Sequence, residues 1–177
     1  MSFWDERYQG EAYLFGEAPN AFLAAQAHRL RPGMSALAVA DGEGRNGVWL
    51  AEARGTTLRL EEADLASWAW PEGQFDVVAA IFIQFAGPDL RDQIFAGLKR
   101  ALKPGGLLLL EGYRPEQIAY GTGGPRVPEN LYTEAMLRAA FSDFEILELS
   151  AYDAVIKEGA GHSGQSALID LVARRPV

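Results

Sequence analysis

The chain has 177 residues, 49% of them hydrophobic and 23% charged, with no cysteine and two histidines. That is the length of one domain, with enough apolar material for a core and too much for a disordered chain. A net charge of −8 and a pI near 4.8 argue against sequence-independent binding to nucleic acid or an anionic membrane surface. The missing cysteines exclude disulfides and thiolate metal sites and fit a reducing compartment, and His28 and His162 alone leave little for a zinc site. The opening MSFWDERYQGE has neither the basic nor the apolar region of a signal peptide, and the apolar run 75–87 is too short to span a bilayer, so a cytoplasmic protein is expected.

Residues 3–20 are aromatic-rich and broken by Gly10, Gly16 and Pro19, which predicts an N-terminal arm. Phe3, Trp4, Tyr8, Tyr13 and Phe15 would pack on the domain, or the arm would act as a flap with Tyr13 or Trp4 over a ligand. Asn20 caps a predicted helix over 21–29. An apolar strand at 37–40 turns through Asp41-Gly42-Glu43-Gly44 into a helix over 46–53 that Gly55 stops. Alternation in 57–61 predicts a second strand. The near-continuous apolar run 75–83 reads as a strand buried on both faces, followed by a helix over 89–102 and another buried strand at 107–111. Glycines and prolines make 112–130 an irregular loop. A helix over 131–141 and two late strands, 144–149 and 167–173, complete the chain, the strands forming an antiparallel pair joined by the loop KEGAGHSGQ. Alternating strand and helix gives a single α/β domain over 1–177, a Rossmann-like doubly wound, mostly parallel sheet with an antiparallel C-terminal pair.

The strand followed by Asp-Gly-x-Gly admits two readings: a turn whose glycines let the backbone approach a ligand, or close helix–strand packing. The three-glycine dinucleotide fingerprint is absent, since Ala40 holds its first glycine position, and no Gly-Lys-Ser/Thr follows to make a P-loop.

Ala36 to Asn46 (ALAVADGEGRN) resembles the first motif of class I S-adenosylmethionine-dependent methyltransferases. FWDERY, FGEAPN, LKPGG and the closing strand pair are similar to the same family in the same order. The nearest resemblance is to small bacterial tellurite-resistance and thiopurine-type methyltransferases, and it runs over nearly the whole chain. It implies methyl transfer from S-adenosylmethionine to a small-molecule acceptor. Asp41, Gly42 and Gly44 would line the methionine part of the donor, and Arg45 and Asn46 match positions at the helix start. Arg45 is equally readable as a solvated surface residue.

The family fold would place helix, strand, helix and strand between the glycine turn and the strand at 75. Here Gly44 and Phe75 stand 31 positions apart, room for one helix and one strand. One βα unit, the second strand and its helix, therefore reads as missing. With it goes the acid that holds the ribose hydroxyls. Three outcomes stay open: 57–61 slides beside the first strand and presents Glu61 or Glu62, which lies 20 residues beyond Gly42; Asp64 caps the adenine and the ribose contact is lost; or all three acids are a solvated strand end. A shortened sheet with an uncovered edge predicts a homodimer.

Acceptor-side candidates fall after the strands, where ligands of open α/β sheets bind: Gln84 and Phe85, then Tyr113, Arg114 and Tyr120. Gln84 is also a candidate donor contact. His162, flanked by glycines, is a candidate general base or anion contact, and Tyr113 the second catalytic candidate; each is equally readable as loop packing or a surface group. His28 reads as structural. The competing functions are a methyltransferase-like scaffold that has lost its cofactor and serves as a binding protein, and a remodelled cleft that hydrolyses a phosphate or ester.

Overall fold

The computed structural model describes residues 13–55, 57–159 and 161–177. The expectations for Phe3, Trp4 and Tyr8 lie outside them. Five strands, β1 (Ala36–Ala38), β2 (Phe75–Ile81), β3 (Leu102–Tyr113), β4 (Glu145–Glu158) and β5 (His162–Arg174), form one sheet in the order β1-β2-β3-β5-β4. The first three run parallel; β5 lies antiparallel to β3, and β4 antiparallel to β5.

The apolar run of β2 is buried on both faces because successive side chains alternate. Val77 and Ala79 join Phe22, Leu23, Leu30 and Leu50 on one side. Val78 and Ala80 join Ile94, Leu98, Leu137 and Phe141 on the other. The first layer comes from α1 (Ala21–Ala25) with the 3-10 turn Gln26–Arg29, and from α2 (Arg45–Arg54). The second comes from α3 (Pro88–Ala101) and, past the one-turn helix α4 (Gln117–Tyr120), from α5 (Glu134–Ala140). Each start and stop has a local cause. The Asn20 side chain accepts from Leu23 N–H at 2.9 Å, α2 ends on left-handed Gly55, and α3 opens with Pro88 and Asp89 and closes with Lys99 and Arg100. Gly97 of α3 leaves room for the Trp70 ring, which stands 2.2 Å from where a Cβ would be.

Three expectations change. Residues 57–61 do not form a strand: they are exposed and pair with nothing in the sheet, so β1 has β2 as its one neighbour among the described residues. Alternation alone cannot make a strand, since without a partner the backbone groups stay with water. The late hairpin is far longer than 144–149 and 167–173, pairing residue by residue from Glu145↔Arg174 to Glu158↔His162. His162 therefore opens β5 rather than sitting in a long loop. Its glycine neighbours are turn and packing positions: Gly164 makes room for Thr122, 2.7 Å from where a Cβ would stand. The helix predicted over 131–141 begins only at Glu134, because Thr133 caps it by accepting from Met136 N–H.

Candidate active site

The carboxyl ends of β1 and β2 lead into Ala40 (φ 50°) and Phe82 (φ 52°), the two non-glycine residues with positive φ among the described residues. Each such residue costs about 1–2 kcal/mol, and strain of this kind gathers at functional sites. After Ala40 the chain turns through Gly42 (φ 59°) and Gly44 (φ 86°) into α2. Gly42 leaves its backbone exposed, whereas Gly44 is buried, with no atom of the described residues within 4 Å of where its Cβ would stand.

Asp41 does not point outward. Its carboxylate accepts from Gly47 N–H at 2.6 Å, tying the strand end to the first turn of α2. Gly47 is what permits this approach, since a Cβ there would stand 2.9 Å from Asp41 Oδ2. Burial raises the Asp41 carboxyl above its usual range, while the bonds to Gly47 and Asn46 hold it back down.

The arm lies across this turn. Leu14 and Phe15 N–H groups donate to the Glu43 carboxylate, at 2.9 Å and 3.4 Å to Oε2. Arg45 Nη1 donates to the carbonyls of Phe15 and Ala18, and Asn20 N–H donates to Asn46 Oδ1 at 2.9 Å. On the arm's other side, Gly161 N–H donates to the Leu14 carbonyl. A cavity of about 220 Å³ lies beside the turn, lined by Tyr13, Glu17, Glu43, Arg45 and Val48.

Beneath the arm is a buried polar network that sequence reading missed. Arg45 Nη2 donates to Glu158 Oε2 at 2.5 Å, both side chains being nearly buried. Asn20 Nδ2 bridges Glu158 Oε1 and Glu111 Oε2. Glu111 faces Asp170 across β3 and β5, and Tyr152 shares the cluster. Burial and the neighbouring carboxylates Asp170 and Glu158 push the Glu111 carboxyl well up; burial above all lifts Asp170 to about 7. The signal available in sequence was weak: one acid at the end of LLLLE, and another at the last residue of β4, directly before the hairpin turn.

The remaining candidates divide plainly. Gln84 is buried with its amide engaged: Nε2 donates to the Tyr113 and Asn130 carbonyls, and Oε1 accepts from Tyr113 N–H. It clips β2 to β3 and offers no free polar atom to a donor. Arg114 holds the Leu168 and Tyr152 carbonyls, Asp153 and Glu116, and Tyr120 donates to Asp153. Phe85 is exposed. His162 packs against Phe15 and Phe82, ring centroids 4.4 and 4.5 Å away, and edge-on to Tyr113, which stacks on Phe82. Burial, then Glu111 and Glu158, keep the Tyr113 phenol protonated. His28, on the exposed side of the 3-10 turn, bonds the Ala25 carbonyl. Past residues 57–60, Glu61 accepts from Trp68 Nε1 and pairs with Arg59, Asp64 caps its own turn through Ala66 N–H, and exposed Glu62 has no partner among the described residues. These residues hold no group of His, Asp and Glu fit for a metal ion. None of their helices is long and apolar enough to cross a membrane.

The exposed backbone at Gly42, at the strand end that leads into α2, is the part of this turn open to a ligand. Similar solved structures share the fold. One is a protein from work on the conversion of a disulfide into a thioacetal in echinomycin biosynthesis (18% identity, TM-score 0.67, 94% of this chain and 86% of that one). A second is TehB from Haemophilus influenzae (15%, 0.67, 98% and 66%). A third is the cyclase SpnF (20%, 0.63, 88% and 80%), whose name shows that the fold alone does not set the reaction. No curated protein matches the sequence. The methyltransferase domain model matches residues 17–110, more than half of the chain, from the arm through the glycine turn to β3. The chain belongs to the methyltransferase domain family, whose methyl donor is S-adenosylmethionine.

Proposed function

We propose that the chain transfers a methyl group from S-adenosylmethionine to a small-molecule acceptor at the carboxyl ends of β1 and β2. The observation that carries this reading is the arm drawn over the glycine turn by Glu43, Arg45 and Asn46. When bound, the donor supplies the reactive methyl, and the protein's task is orientation and exclusion of water. Gly42 and Gly44 give the backbone that meets the amino-acid end. Asp41, Arg45 and Asn46 act one step back, holding the turn and the arm. Phe15, Phe82, Tyr113 and His162 form an aromatic wall beside it. Tyr113, kept protonated, serves as a wall and not as a base. Of Glu61, Glu62 and Asp64, Glu62 is the one with its carboxylate unengaged among the described residues, and we assign it to the ribose hydroxyls. The sheet ending at β1 agrees with the loss of one βα unit, and the uncovered edge, with Leu60 77% exposed close by in sequence, is where a second copy would pair. The absence of cysteine fits the cytoplasm.

Calorimetric titration with S-adenosylhomocysteine tests the donor site: one binding event per chain is expected, lost on Gly42→Val. No heat and no thermal shift at millimolar ligand would instead leave the scaffold reading standing. A monomer by light scattering at micromolar protein would remove the dimer. The hydrolytic alternative has no supporting observation, because His162 is packed among aromatic rings.

A further inference from the structure

We infer that the cavity formed by residues 117–126 is a binding site for a small organic carboxylate. Its volume, about 370 Å³, lies within the range of roughly 300–1,000 Å³ typical of small-molecule sites, and it shares no lining residue with the cavity beside the glycine turn. The proposal does not depend on a donor binding there.

The loop Gly121-Thr122-Gly123-Gly124-Pro125-Arg126 builds one wall. Gly123 and Gly124 have left-handed backbones, and their N–H groups donate to no protein acceptor among the described residues. Successive free N–H groups in such a turn make a concavity suited to an anion. Arg126 is the one charged residue lining the cavity and makes no ion pair among the described residues. Asp153 is answered by Arg114 and the Tyr120 hydroxyl, and Glu116 by Arg114, while exposed Glu129, three residues on from Arg126, is not among the lining residues. The lining itself therefore carries one cation and no acid, in a chain that is acidic as a whole.

The wall is held in place before any ligand arrives. Gln117 Nε2 donates to Thr122 Oγ1 and the Gly123 carbonyl, while its Oε1 accepts from Ala167 N–H of β5. Thr122 Oγ1 donates to the Gln165 carbonyl. Gly124 lies against the Tyr113 ring, 2.7 Å from where a Cβ would stand. The Tyr113 hydroxyl, buried and with no partner among the described residues, lies 3.3 Å from the Cβ position of Gly123. A preformed wall of this kind lowers the ordering cost of binding. Ile118 and Pro125 supply apolar surface. A bare inorganic oxyanion would fill little of the space and leave that surface wet. One cation, two amides and an apolar side match a single carboxylate on an organic body.

The test is a titration of the full chain, by calorimetry and by backbone amide NMR shifts, with benzoate, hexanoate, their two amides and inorganic phosphate. At least one acid should bind about tenfold more tightly than its amide, moving the Gly123 and Gly124 signals, as a charge-assisted contact requires. Arg126→Gln should weaken that acid about tenfold and Arg126→Lys less, with an unchanged unfolding midpoint because Arg126 is exposed. The proposal is overturned if neither acid binds at millimolar concentration, if the amides bind as well as the acids, if Arg126→Gln changes nothing, or if phosphate outcompetes both acids.

Discussion

Two groups of acids stand out in this chain, one by sequence spacing and one by structure, and they behave as opposites. Glu61, Glu62 and Asp64 lie exposed, making local contacts or, for Glu62, none among the described residues. Glu111, Glu158 and Asp170 lie beneath the arm, buried or nearly so, and bonded among themselves and to Asn20, Arg45 and Tyr152. The sequence spacing that singled out the first group measured distance along the chain. The second group is assembled by β3 and the long hairpin. Acids that stay in water keep their charge free for a ligand; acids taken out of water serve the fold and must share protons or cations.

The largest expected effect comes from breaking the buried side of this contrast. Arg45→Met removes the cation from Glu158 and two donors from the arm's carbonyls. Stranding a buried charge in this way costs about 3–5 kcal/mol, to be read from urea unfolding. The same variant should expose the arm, so that limited proteolysis cuts near Phe15 and Ala18 under conditions in which the native chain is intact there. Loss of stability below about 1 kcal/mol would show that the Arg45–Glu158 pair is water-exposed and weak.

Next in size is a pH dependence. Asp170 and Glu111 have carboxyl pKa values raised by burial, so the folded chain holds protons that the unfolded chain has already released above about pH 4. Stability from this pair is therefore greatest in acid and falls as pH rises from about 4 through about 7, where Asp170 ionises. Asp170→Asn keeps an acceptor for Tyr152 and gives Glu111 a donor in place of a competing acid. The stability difference between this variant and the native chain should grow in the variant's favour across that window and level off above it. A difference that stays flat from pH 4 to 8 would mean the pair is already charged in the folded protein.

What the residues disclosed in advance follows the same division. β2, β3, α3, the Asn20 cap and the glycine turn were legible because each rests on local chemistry: an apolar run, a capping amide, a proline and an acid at a helix start, glycines at left-handed positions. The network under the arm was not, because its bonds join positions 91, 113 and 138 apart in the chain. Residues 57–61 carried a genuine alternation and still formed no strand, because pairing needs a neighbour. Residues 150–158 alternate as well, with Tyr152, Ala154 and Ile156 half-buried on one face, and there β5 supplies the partner. Arg45 and Asn46 were recognisable by position, but their work, restraining the arm, became visible only in three dimensions.

A smaller effect tests the turn itself. Gly47→Ala would place a Cβ 2.9 Å from the Asp41 carboxylate and 3.4 Å from Leu58. The helix is otherwise compatible with alanine, so the cost is crowding at one bond, about 1–3 kcal/mol. Since Asp41 anchors the strand end to α2, this variant should also weaken S-adenosylhomocysteine binding, whereas Gly55→Ala at the far end of α2 should lower stability alone. Equal donor affinity in the two variants would mean that the Asp41–Gly47 bond does not shape the site.

The smallest effect falls on the exposed acids. Glu62 is free of partners among the described residues, so Glu62→Gln should leave stability within about 0.5 kcal/mol of the native chain. If its carboxylate receives the ribose hydroxyls, the amide loses a charge-assisted bond and donor affinity falls by about tenfold. Asp64→Asn should do the reverse, weakening its own turn slightly through Ala66 while leaving the donor alone. A fall in affinity for Asp64→Asn with none for Glu62→Gln would reassign the contact to the adenine side. No change in either would leave both without a role in the donor site, and the exposed acids would then differ from the buried ones only in staying wet.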